Sequence, residues 1–140
     1  MDYSTYFKEK LNERIREFES NLLIWMRGDG KSDAMTQIEN LLTYMQAMER
    51  RGGYRRLWWL GSGLAEAINR GDLECNDDTR HLFAELVNTL KHLHSDNGKS
   101  RPDPPAALFD DLVNTLKLAG PGGPIMENIA RQFHLFDNAS

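Results

Sequence analysis

The chain has 140 residues, 40% of them hydrophobic and 27% charged, which suits one soluble globular domain and excludes a disordered tail. Its 17 Lys+Arg against 21 Asp+Glu leave a net charge of −4 and argue against phosphate-driven nucleic-acid binding, while a single cysteine, Cys75, excludes an internal disulfide and a thiolate-rich zinc site. No apolar run approaches the ~20 residues of a membrane span, and the start Met1-Asp2-Tyr3 lacks the basic and apolar regions of a signal peptide, so a cytoplasmic location is expected.

The periodicity is helical almost throughout. From Ser4 to about Arg27, Phe7, Leu11, Ile15, Phe18, Leu22 and Trp25 recur at intervals of three or four, a single apolar stripe. Gly28-Asp29-Gly30 is expected to end this helix. Ser32 is the expected N-cap of a second helix, with Asp33 near its positive end. Its stripe is Met35, Ile38, Leu41/Leu42, Met45 and Met48, and Gly52-Gly53 is expected to close it. A third helix runs from about Tyr54 to Arg70 and stops at Gly71. Asn76 or Asp77 caps a fourth, which carries Leu82/Phe83, Leu86, Leu90 and Leu93.

Ser95 to Pro105 is polar, holds three prolines and reads as a loop. A fifth helix begins near Pro105 with Leu108, Leu112 and Leu116. After the break at Gly120-Pro121-Gly122-Gly123, Pro124 starts a short sixth with Ile125, Ile129 and Phe133. No segment alternates with period two, so the chain is expected to be all-α. Short connections favour antiparallel neighbours, hence an up-down four-helix bundle over about 4–95, with one or two further helices over 104–136 packed on it. Residues 1–140 then form one helical domain. Leu86-Val87-Asn88-Thr89-Leu90-Lys91 returns as Leu112-Val113-Asn114-Thr115-Leu116-Lys117, so two helices are expected to offer similar faces to one core.

Few constellations point to chemistry. Asp77-Asp78 and Asp110-Asp111 are adjacent residues, which a helix points in different directions. His92 and His94 diverge for the same reason. His81 with Glu85 offers two metal ligands with nothing nearby to complete a site, so no metal, cofactor or catalytic residue is expected. Gly61-Ser62-Gly63 falls inside a helix rather than between a strand and a helix, which removes a phosphate-loop reading and leaves close helix approach. Arg50, Arg51, Arg55 and Arg56 form the basic cluster at a helix–helix turn, where arginine forks bind carboxylate or phosphate. Trp58 and Trp59 diverge by ~100° on a helix, so one is expected in the core and the other at a second interface. These six residues are the partner-binding candidates.

The stretch Leu57-Trp58-Trp59-Leu60-Gly61-Ser62-Gly63-Leu64-Ala65-Glu66-Ala67-Ile68, followed by Gly71-Asp72-Leu73-Glu74, resembles a recurring block near the N-terminus of chemosensory-pilus histidine kinases of the ChpA/PilL type, related to CheA. Pro104-Pro105, Leu108, Leu112-Val113 and the closing Phe133-His134-Leu135 extend the likeness over about residues 54–136. A FimL-like pilus protein built from the same helical units looks much the same. The resemblance implies a histidine-phosphotransfer-like (Hpt-like) bundle, whose active form carries His-x-x-Lys-Gly on its second helix. It places Thr43 at the histidine position, Gln46 at the lysine position and Ala47 at the glycine position. A threonine hydroxyl without an adjacent base is a poor nucleophile, whereas imidazole titrates near pH ~6.5 and is active at neutral pH. His94-Ser95-Asp96-Asn97-Gly98-Lys99 has its lysine five residues on, running into a loop, and is rejected as a phosphotransfer motif.

The expectation is therefore a non-catalytic signalling or scaffold module of a type IV pilus chemotaxis system, a fragment of a longer chain. It presents helix faces to a response-regulator receiver domain, a pilus hub protein or other domains of its own chain, with no nucleic-acid or membrane partner. The competing classes are an active histidine phosphotransfer domain and a helical nucleic-acid binder centred on Arg50–Arg56.

Overall fold

The computed structural model describes residues 3–27, 33–49, 52–74, 76–95, 104–120 and 122–134. Six helices and no strand occur among them: α1 (Tyr3–Met26), α2 (Ala34–Met48), α3 (Gly52–Arg70), α4 (Asp77–Ser95), α5 (Ala106–Ala119) and α6 (Pro124–Phe133). The stripes their spacing implies turn inward where their side chains are described, except that Met48 at the end of α2 is 56% exposed. Ile15, Phe18 and Leu22 of α1, Ile38 and Leu42 of α2, and Leu57, Leu60 and Leu64 of α3 meet Phe83, Leu86 and Leu90 of α4 in one core. At ~1.5–3 kcal/mol for each fully buried large apolar side chain, this core is the main stabilising term.

Cross-helix contacts give the directions. Trp25 packs edge-on to Phe83 with centroids 5.4 Å apart, and Glu19 pairs with Lys91 at 3.2 Å, so α1 and α4 run antiparallel. Arg14 lies 4.7 Å from the Tyr44 ring centre across α1 and α2. Cβ atoms built on Gly61 would come 3.1 Å from Leu86 of α4 and 3.2 Å from Leu42 of α2, so this glycine sets how closely three helices approach. The first four helices are compatible with an up-down bundle. The arrangement departs from an ideal one in that α3 and α4 approach each other at few residues, while α5 packs on both helices. The repeated segments do face one core: Leu86 and Leu90, and Leu112 and Leu116, are all fully buried.

Two boundaries differ from expectation. Helix α2 ends at Met48, with Glu49 already extended (φ −79°, ψ 129°), so Gly52 and Gly53 open α3 instead of closing α2. Asp33, not Ser32, is the N-cap of α2, and its carboxylate accepts from Gln37 Nε2 instead of the helix backbone. Helix α5 begins at Ala106 with Pro105 as its N-cap, near the expected start. Asn76 does cap α4: its side chain accepts the Thr79 N–H at 2.9 Å, and Thr79 Oγ1 accepts the Asn76 N–H at 3.0 Å. Gly71 ends α3 at φ +83°, a conformation that glycine adopts without penalty. Gly28–Ser32, Arg50, Arg51, Cys75, Pro121, Leu135 and residues 96–103 lie outside the described residues.

No helix among the described residues is long and apolar enough to cross a membrane.

Candidate functional site

Helix α6 is docked by a charge from another helix. Gly123, its N-cap, has no side chain to offer the free N–H groups of the first turn. Glu66 of α3, only 6% exposed, supplies the acceptors: Oε2 takes the Ile125 N–H at 3.0 Å and Oε1 the Met126 N–H at 2.9 Å. An anion at a helix N-terminus also meets the positive end of the helix dipole. A Cβ on Gly123 would fall on the Glu66 carboxylate, so the bare residue is what lets the carboxylate in. One turn earlier on α3, a Cβ on Gly63 would lie 2.5 Å from Ile129 Cδ1 and 3.1 Å from Met126 Sδ. The glycines inside α3 therefore serve helix approach, as their position in the sequence implies.

Docked in this way, α6 forms one wall of an open groove of about 720 Å³ against α2 and α3. Thr43 and Gln46 line it from α2, and Trp59 and Ser62 from α3. The α6 wall runs from Pro124 and Ile125 through Asn128 to Arg131 and Gln132. Trp59 is half-buried and packs on Phe133 with ring centres 5.7 Å apart, and Phe133 in turn touches Phe109 of α5. Arg131 Nη2 donates to Asn128 Oδ1 at 2.7 Å, which fixes the guanidinium along the groove wall.

Of the three residues that the resemblance aligns with a phosphotransfer motif, Thr43 and Gln46 line the groove. Thr43 is exposed and its hydroxyl donates to the Glu39 carbonyl at 2.9 Å, a bond within its own helix. Gln46 is half-buried beside it, and Ala47 is exposed on the same helix. One turn before Thr43, the Glu39 carboxyl has its pKa raised, first by burial and then by the negative charge of Glu66, against a lowering hydrogen bond from Asn69.

The other candidates separate. Trp58 is 0% exposed and sits in the core, its Nε1 donating to Glu49 Oε2 at 3.4 Å, so no partner reaches it in the folded chain and the outward role passes to Trp59. Arg55 and Arg56 are exposed on the first turns of α3, and Arg55 is one turn before Trp59 on the same face. His81 is exposed on α4, 3.9 Å from Glu85, and no cluster of three or more His, Cys, Asp or Glu able to hold a metal occurs among the described residues. His92 is exposed near the end of α4, and His134 is the left-handed C-cap of α6 at φ 54°.

Sequence reasoning did not single out Glu66, Asn128 or Arg131. The signal for Glu66 is indirect: a proline-initiated helix preceded by glycine lacks its own capping side chain and calls for one from elsewhere.

No curated protein and no solved structure matches the chain. A family model described as the FimL scaffold protein second domain matches residues 6–139, nearly the whole chain and all six helices bar the first residues of α1. The two-tryptophan block, the small residues of α3 and the groove they help to form therefore sit in a domain whose family is known: the chain belongs to the FimL scaffold protein family, as its second domain.

Proposed function

We propose that this domain is a non-catalytic scaffold unit of a type IV pilus chemotaxis system, with the α2–α3–α6 groove as its docking face for a protein partner. The observation that carries the reading is the groove itself, which is lined by Thr43 and Gln46, the residues that the resemblance aligns with the histidine and lysine of an active phosphotransfer unit. Three facts support it. The family is one of scaffold proteins. Thr43 is an exposed residue in the body of α2 with its hydroxyl engaged by its own helix. Trp59, a residue type common among binding hot spots, is half-buried in the groove wall. The domain is a degenerate relative of a phosphorelay carrier that keeps the docking shape without the reactive imidazole. The partner is the receiver domain of a response regulator or a pilus hub protein, held through the groove and the arginines that open α3. Nucleic acid and membrane have no part in this reading.

The test mixes the full chain with a phosphorylated receiver domain from a pilus chemotaxis system, and separately with the hub protein. The expected result is a complex with at least one of them by calorimetry, weakened by Trp59→Ala, and no label transferred to the chain. Acid-labile phosphate on this chain, lost on His92→Ala or His94→Ala, overturns the non-catalytic reading. Failure to bind either protein overturns the docking role.

A further inference from the structure

The groove has a chemistry that selects among partners. Among the described residues, Arg131 is its one charged lining residue and no carboxylate lines it. Along its length the charges are graded. Glu66 meets Ile125 at the Pro124 end, and Glu39, which interacts with Asn69 of α3, lies at that same end. Trp59 meets Phe133 at the other end, where Arg131 and, one turn beyond Trp59, the exposed Arg55 also fall. Primary amides stand on both walls, Gln46 on α2 and Asn128 with Gln132 on α6.

Each amide offers both a donor and an acceptor, which suits a backbone whose own N–H and C=O groups are unpaired. A helix satisfies those groups internally and has no use for an amide-lined wall; an extended segment needs it. The α6 wall from Pro124 to Gln132 spans about 12 Å at ~1.5 Å per residue, the length of roughly four extended residues. Trp59, Ile125 and Pro124 leave apolar surface between the amides.

Resting on the docking role proposed above, we infer that the groove binds an extended protein segment of about four residues that carries an acidic side chain for Arg131 next to an apolar or aromatic one for Trp59. The guanidinium, oriented by Asn128, grips the carboxylate with the donors that its 2.7 Å bond leaves over. The graded charge sets the direction of the segment, with its acid at the Trp59 end.

A random heptapeptide library panned on the folded full chain tests this. Enrichment of sequences with Asp or Glu within two positions of Leu, Phe or Trp is expected. One enriched peptide, synthesised with blocked ends and titrated by NMR, is expected to shift the Trp59 indole N–H and the side-chain amides of Gln46 and Asn128. Its affinity falls about tenfold in Arg131→Gln, the usual scale of a lost charge-assisted bond, and less in Arg131→Lys, which keeps the charge without the fork. Circular dichroism establishes that each variant is folded. No enrichment, enrichment of neutral or basic peptides, or affinity indifferent to Arg131→Gln overturns the inference. If the receiver domain or hub protein still binds the chain in that event, the docking role survives on another surface; if neither binds, both readings fall.

Discussion

Glu66 holds two backbone donors at the start of α6 with a carboxylate almost without solvent. In Glu66→Gln one of those N–H groups faces an amide donor in place of an acceptor, and the charge is gone. The expected loss is about 1–3 kcal/mol, read as a lower midpoint in urea unfolding. Gly63 and Gly61 are two positions apart, face different neighbouring helices, and differ in consequence. Alanine at Gly63 would place its Cβ 2.5 Å from Ile129 Cδ1 and 3.1 Å from Met126 Sδ, so the buried Ile129 side chain has to shift, an overpacking cost of roughly 1–3 kcal/mol against about 1 kcal/mol of regained helix propensity. Alanine at Gly61 meets only leucine methyl ends, at 3.1 and 3.2 Å, and regains about 1 kcal/mol of helix propensity, so near-neutrality is expected there. Glu39 works the other way. Burial first, and then Glu66, raise its pKa in the folded chain, so folding favours its protonated form. That contribution is fully present below the ordinary carboxyl pKa and is lost as pH rises through the raised one. Glu39→Gln, which keeps a hydrogen-bonding group for Asn69, is therefore expected to raise the melting temperature at pH 7 and to give no gain near pH 3. Equal gains at both pH values would contradict it.

At the scale of elements, α6 depends on α3 more than on its own ten residues, since isolated helices that short are marginal in water. Releasing the Glu66 cap should therefore act on α6 before it acts on the bundle. In Glu66→Gln, hydrogen exchange at Ile125, Met126 and the rest of α6 is expected to accelerate, while the amides of α1 and α2 keep their protection. Uniform acceleration across all six helices would show that α6 has no local stability of its own to lose. The helices themselves were legible because apolar stripes repeat every three or four residues and the later boundaries carry Gly71 and Pro124. The α2–α3 turn was not. Gly52-Gly53 reads as a stop in any helical sequence, yet α2 ends at Met48 with the Glu49 carboxylate accepting from the Trp58 indole. That bond joins residues on two elements, and no local rule contains it. Glu66 escaped for the same reason: within α3 a glutamate looks like a solvated helix face, and the donors it serves lie 59 and 60 positions away. The groove inherits this opacity, since Glu66 and the space left at Gly63 help to hold its α6 wall in place.

For the molecule as a whole, the question is whether α5 and α6 are riders on a four-helix core or part of it. The echo between Leu86–Lys91 and Leu112–Lys117 shows two helices patterned for one interior, and Leu112 and Leu116 are as deeply buried as Leu86 and Leu90. Helix α5 fills the space between α3 and α4, so removing its side chains takes contacts from both. Leu112→Ala is accordingly expected to cost about 2–5 kcal/mol, the same range as Leu86→Ala. The loss should appear equally in far-ultraviolet circular dichroism, which reports all helices, and in tryptophan fluorescence, dominated by Trp25, Trp58 and Trp59 on α1 and α3. Coincident transitions mean that the six helices unfold as one unit. If residues 104–136 were a satellite, Leu112→Ala would melt α5 and α6 in an early phase worth only their share of the helical signal. Trp25 of α1, which packs against Phe83 of α4, would then report the wild-type midpoint. A Trp59→Phe background makes the distinction cleaner, because Trp59 touches α6 through Phe133 and would otherwise register an early phase by itself.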